Sequence, residues 1–227
     1  MHRNRKVDLW DVCGFKPEHS QGDFSVDTFL FTHSFTHSFS HLLTHIFNHH
    51  CPNTSKCIST DTIREIQREV SCQQQPPALM RSSYEGEGDP VTNWKESCHV
   101  LESSIEALVK DANNRGTSLV LEGVHIQPRQ QDELLQSWRR NGGTALGILL
   151  IISDAETHRN LIFRRGEITK KGEEKKMNAF SRIRTIQSKM IQMATEKDWL
   201  IIEQKLEPEP LEIVSTLLDD QIYDIPL

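Results

Sequence analysis

Residues Ser118 to Pro128 read S-L-V-L-E-G-V-H-I-Q-P, an apolar run that stops at an acid, a glycine and a histidine, with a proline three residues later. Val120 and Leu121 lack the apolar/polar alternation of a half-exposed strand, so the run predicts a strand covered on both faces, as in a parallel sheet. Ligands of open α/β sheets sit beyond the carboxyl ends of the strands. Glu122, Gly123 and His125 fall there and are the first candidates for chemistry. A strand terminus carrying an incidental acid would explain the same letters, so the rest of the chain has to decide.

Working outward, Ala145 to Ile152 is a second continuous apolar run, closed by Ser153-Asp154, and Trp199 to Glu203 is a third. Cys57-Ile58-Ser59 is a short apolar step on the amino-terminal side. Ser59 or Thr60 can cap a helix that runs through Ile63, Ile66 and Val70, with Asp61 and Arg64 in its first turn. Arg81 to Gly86 reads as an exposed loop of hydroxyls with one arginine. Apolar residues at Val100, Leu101, Ile105, Leu108 and Val109 predict one helix from Trp94 to Asn114, with Gly116 as its C-cap. Further helices are expected over Arg129 to Arg140, Glu156 to Arg165, Met177 to Lys197 and Leu211 to Leu218. Alternating strands and helices imply right-handed crossovers, a parallel sheet and helices on both faces. The fold class is α/β.

The chain has 227 residues, and its 26 Lys+Arg against 32 Asp+Glu leave a net charge of −6. That balance gives no global attraction to nucleic acid or an anionic membrane, so any anion must be held by a local basic cluster. No apolar segment approaches the roughly 18 residues of a membrane span. The five cysteines are irregularly spaced and include no C-x-x-C, which fits reduced thiols and a cytoplasmic protein. Residues 1–23 read as a poorly structured arm, 24–50 as a His/Phe/Ser/Thr repeat segment, and 51–227 as the α/β domain. A polar, lid-like stretch lies near 166–176.

Three clusters are expected at the carboxyl edge: Asp61 with Arg64, Glu122 with His125, and Arg164, Arg165, Arg182 and Arg184 on either side of the lid. Carboxylates beside arginines can hold magnesium and a polyanionic substrate together, because guanidinium donors meet phosphate oxygens in bidentate fashion. This pattern points to phosphoryl transfer. No G-x-S-x-G elbow and no G-x-G-x-x-G is present, which weakens hydrolase and dinucleotide readings.

S-T-D-T-I-R-E from Ser59, R-S-S-Y-E from Arg81, S-L-V-L-E-G-V-H-I-Q-P from Ser118 and R-I-R-T-I-Q from Arg182, in this order, resemble the 2-phosphoglycerate kinase family and the related plant low-phytic-acid proteins. The resemblance covers roughly Ile58 to Leu206. It implies a P-loop kinase-like three-layer sandwich, ATP with Mg2+, and phosphorylation of a small phosphorylated metabolite of the phosphoglycerate or inositol phosphate class. On that basis Asp61, Glu122 and His125 form the catalytic group, with Glu122 and Asp61 the magnesium carboxylates. Arg64, Ser82, Ser83, Tyr84, Arg164, Arg165, Arg182 and Arg184 are the substrate and phosphate contacts.

Such a kinase carries G-x-x-x-x-G-K-[ST] between its first strand and first helix. This chain has no such motif. The loop's place falls on Thr32 to Ser40, between a first strand expected over Val26 to Phe31 and a first helix over Ser40 to Phe47. Ser40 lands on the magnesium-binding hydroxyl, and Gly123 is the remaining cofactor-side candidate. Phe39 stands where the lysine belongs, so weak or absent ATP binding is expected. The alternative is a non-catalytic, anion-binding or regulatory relative. The same segment spaces His33, His37, His41, His45 and His49 four apart, with His50 adjacent, so a metal-binding ladder is a third reading.

Overall fold

A computed structural model describes residues 28–33, 56–70, 75–84, 86–169, 179–204 and 213–214; for 28–33 and 164–169 it describes the main chain. Among the described residues, five strands form one sheet: β1 (Thr28–His33), β2 (Lys56–Ser59), β3 (Leu119–Glu122), β4 (Thr144–Ile151) and β5 (Leu200–Glu203), in the order β2-β3-β1-β4-β5. Each adjacent pair is parallel. β1 therefore lies at the centre, with Thr32 beside Glu122 on one flank and Ile148 on the other.

The helices are α1 (Thr60–Val70), α2 (Pro77–Met80), α3 (Pro90–His99), α4 (Glu102–Arg115), α5 (Pro128–Arg140), α6 (Ala155–Thr169) and α7 (Phe180–Glu196). Strand side chains alternate between two apolar clusters. Leu119, Leu121, Ala145 and Leu149 pack with Trp94, Ile105, Leu135, Trp138, Ile186 and Met190 from the helices. Val120, Leu146, Ile148, Leu150 and Ile202 form the opposite cluster with Val214. Both faces of β3 and β4 are thus buried, which is why their sequences read as unbroken apolar runs. Each fully buried Leu or Ile contributes about 1.5–3 kcal/mol through lost water contact.

The structure is the parallel α/β architecture expected, with local differences. The helix expected over Trp94–Asn114 is two helices. The Leu101 amide donates to Cys98 O at 3.1 Å, a tighter turn than α, and the fully buried Leu101 side chain sits at the break. Burying Leu101 takes precedence over helical continuity. α4 stops at Gly116, whose left-handed φ of 60° lets its amide reach back to Asn113 O. Of the apolar stripe expected on α1, Ile63 is buried while Ile66 and Val70 are 59% and 67% exposed. In α1 the buried face is instead finished by Thr60 and Arg64, which turn toward the carboxyl edge.

α6 runs four residues past Arg165, into the start of the stretch expected as a lid. Asp154 caps it, its carboxylate accepting from the Thr157 amide at 2.6 Å, and Ile162 anchors it against Phe180 and Ile183. Residues 170–178, Ser40 and the first helix expected over Ser40 to Phe47 lie outside the described residues. So do the arm and the repeat beyond His33 and, save 213–214, the last helix.

Candidate functional site

The carboxyl ends of β2 and β3 lie side by side, with Ser59 opposite Glu122. Thr60, Asp61 and Arg64 follow on the first turns of α1, and Gly123 to His125 follow β3. Gly123 adopts φ +133°, and a Cβ there would lie 2.0 Å from Thr60 Oγ1. The glycine lets the chain turn sharply against α1 without a clash. Trp94, buried in α3, then fixes the turn by donating its indole N–H to Val124 O at 2.7 Å.

This turn drives the His125 side chain into the interior, where it is fully buried. Its Nδ1 lies 3.1 Å from Thr60 Oγ1 and 3.7 Å from Asp61 Oδ1. Its Nε2 lies 2.8 Å from Ser83 Oγ and 3.5 Å from Arg64 Nη1. One imidazole thus joins three segments that are far apart in sequence. Ser83 is itself buried, which corrects the exposed loop expected for Arg81–Gly86: the imidazole supplies the hydrogen-bond partner that lets a serine leave water.

Arg64 is 7% exposed, and its Nε–H donates to Leu79 O at 2.9 Å. Its Nη2 is buried and has no hydrogen-bond partner among the described residues. Burial, and next the neighbouring Arg68, lower its proton affinity, while Asp61 and Glu65 act the other way. A guanidinium still keeps its charge in a protein, so the edge holds a desolvated cation with a donor to spare.

The expected phosphate arginines on α7 each donate to two main-chain carbonyls. Arg182 Nε–H donates to Tyr84 O at 3.0 Å and its Nη1 to Gly88 O at 2.9 Å, leaving Nη2 without a partner among the described residues. Arg184 donates to Ile152 O at 2.5 Å and to Ser153 O at 2.8 Å, bracing the turn after β4. Ser82 and Tyr84 are half-buried, Tyr84 packing against the core. Arg164 and Arg165 stand on α6, whose main chain alone is described there. Glu122 is buried at the tip of β3, and Asp61 is exposed. Thr60 was missed as a site residue by sequence reasoning. Its signal lay inside the S-T-D-T-I-R-E motif, but only the fold shows that it touches both Gly123 and His125.

Kinase chemistry calls for a nucleotide's phosphates beside this edge. β1 delivers the chain there at Thr32–His33, yet the segment from Asp23 to Ser55 contains no glycine, lysine or arginine. Main-chain N–H nests need residues that tolerate positive φ, and the β- and γ-oxygens need a cation. The residues present do not fit a nucleotide triphosphate cradle. Among the described residues no group of three His, Cys, Asp or Glu side chains is placed to hold a metal ion, and of the histidine ladder only the His33 main chain is described. No helix among the described residues is long and apolar enough to cross a membrane.

No family model matches the chain. Curated homologues named 2-phosphoglycerate kinase match it at 23–29% identity. The Methanopyrus kandleri protein is 27% identical over 184 residues, 76% of this chain and 55% of that protein. The Methanocaldococcus jannaschii protein is 26% identical over 154 residues, covering 64% and 48%. The Methanococcus maripaludis strain C5 protein is 28% identical over 189 residues, covering 74% and 59%. The chain spans about half the length of these curated relatives. Among solved structures, the Deinococcus radiodurans tunicamycin resistance protein aligns with a TM-score of 0.41 at 11% identity, over 87% of this chain and 96% of that one. A chain of the Streptococcus pneumoniae PezAT toxin-antitoxin system aligns at 0.45 and 12%, over 88% and 87%.

Proposed function

We propose that this protein binds a small phosphorylated acid at the carboxyl edge of its sheet, as a kinase-like relative whose transfer of phosphate from ATP is impaired or lost. The carrying observation is Arg64, a buried guanidinium with an open Nη2, gathered with Ser83 around His125 Nε2 at the edge where β3 ends in Glu122. A desolvated cation of this kind is satisfied by an incoming oxyanion, and guanidinium geometry favours phosphate or carboxylate. The kinase names of the homologues support a phosphoglycerate as the first candidate; inositol phosphates are the second, on the motif resemblance alone. Asp61 and Glu122 are the carboxylates available to orient an acceptor hydroxyl or to take part in holding magnesium. The misfit of the nucleotide cradle supports the impairment.

The test pairs binding with turnover. 2-Phosphoglycerate is expected to raise the melting temperature, since a ligand at 100 times its Kd adds about 2.7 kcal/mol of stability. Mg-ATP alone should leave it unchanged. A coupled assay with Mg-ATP and 2-phosphoglycerate, and a parallel one with inositol phosphates, should show no turnover above a Glu122→Gln control. Robust Glu122-dependent turnover would restore the full kinase reading, and absence of any response to phosphorylated acids would sink the binding reading.

A further inference from the structure

Full burial removes His125 from direct reach of solvent, and its two ring nitrogens are spent on groups from α1 and from the Ser83 turn. Hydroxyls can donate or accept, so the Arg64 contact is the one that points to where its proton sits. A guanidinium offers only donors. With Arg64 Nη1 at 3.5 Å and the Ser83 hydroxyl at 2.8 Å, Nε2 presents its lone pair. The proton then lies on Nδ1, where Thr60 Oγ1 accepts at 3.1 Å and the Asp61 carboxylate lies at 3.7 Å. An imidazolium would instead set a second cation against the buried guanidinium, with little water between them to screen the repulsion.

We propose that His125 is a positioning residue rather than an acid or base: a neutral Nδ1–H imidazole that pins Arg64 and Ser83 so that Arg64 Nη2 is presented to an anionic group of the ligand. It rests on the preceding reading that Arg64 meets an anion. Arg64 Nε is anchored on Leu79 O and Nη1 faces the imidazole, so the remaining nitrogen is the one left to recognise phosphate or carboxylate. His125 owes its place to the Gly123 turn and the Trp94 bond to Val124 O, which explains why a glycine and a histidine stand two residues apart after β3.

Two measurements on the full chain test this. In long-range proton–nitrogen spectra of 15N-histidine-labelled protein near pH 7, the signals lost in His125→Gln should show a pyrrole-type Nδ1 and a pyridine-type Nε2. An Nε2–H tautomer or an imidazolium overturns the proposal. Calorimetry with 2-phosphoglycerate and with inorganic phosphate then compares two polar variants. His125→Gln can place a carbonyl oxygen where Nε2 stood and should bind within about threefold of wild type; His125→Asn reaches the Nδ1 position alone and should bind about 10- to 100-fold more weakly, the loss of one hydrogen bond to a charged group. Equal affinities in the two variants overturn the positioning role. Failure of the wild type to bind either anion overturns the anion reading of Arg64 instead, and the tautomer spectrum tells that failure apart from an error about His125.

Discussion

Substitution of Gly123 by alanine probes the turn on which the whole edge depends. The new Cβ would lie 2.0 Å from Thr60 Oγ1, 3.2 Å from Thr60 Cβ and 3.3 Å from the Thr60 amide nitrogen, at a backbone φ of +133°. Holding a non-glycine residue in that region costs about 1–3 kcal/mol, and overpacking a buried contact costs about 1–3 kcal/mol more. The sum, about 2–6 kcal/mol, is a large part of the 5–15 kcal/mol typical of a folded chain. Thr60→Ala removes the hydroxyl that clashes but leaves the strained φ and the nearby amide. Gly123→Ala should therefore cost roughly 0.5–3 kcal/mol less in the Thr60→Ala background than alone. Urea unfolding of wild type, both single variants and the double variant, followed by circular dichroism, reads this coupling directly. A single-variant loss below about 1 kcal/mol, or additivity within about 0.5 kcal/mol, would refute the contact between the Gly123 turn and α1.

Gly147 in β4 makes a similar close approach on the other side of the sheet's centre, a Cβ there lying 2.4 Å from the Trp199 ring. Gly147→Ala should cost about 1–3 kcal/mol in urea unfolding and shift tryptophan emission, and unchanged stability would show that the ring can yield. Burial pushes the Cys98 thiol upward in pKa, so it should resist iodoacetamide in the native protein at neutral pH and react once urea exposes it; native-state labelling read by peptide mass spectrometry checks this. His158 is held down to about 4, first by burial and then by Arg184 beside it. The unfolded chain takes up that proton near the ordinary 6.5 and the folded one only near 4, so this contribution to stability is present above pH 6.5 and is lost as pH falls toward 4. His158→Gln should flatten the pH dependence of the urea midpoint across that window, and an unaltered slope would count against it.

The sequence by itself determined the class of sheet and the position of the edge. Leu119–Glu122 and Thr144–Ile151 are apolar without alternation because both faces of a central parallel strand are covered, and that burial is written in composition alone. The acid that ends β3 and the glycine and histidine that follow it were legible as an edge motif for the same reason: the buried apolar run stops where the strand leaves the sheet. The partners of that motif were not legible. His125 finds Ser83 42 residues away and Thr60 65 residues away, and no local pattern encodes which loop will be folded against which helix. Tertiary packing also decided that Arg182 and Arg184 each brace two main-chain carbonyls, whereas Arg64 meets one carbonyl and the His125 ring and turns its buried Nη2 to the carboxyl edge. All three are arginines at helix starts in sequence. They differ only in what surrounds each guanidinium, and burial next to unsatisfied or satisfied oxygens is a property of the folded chain.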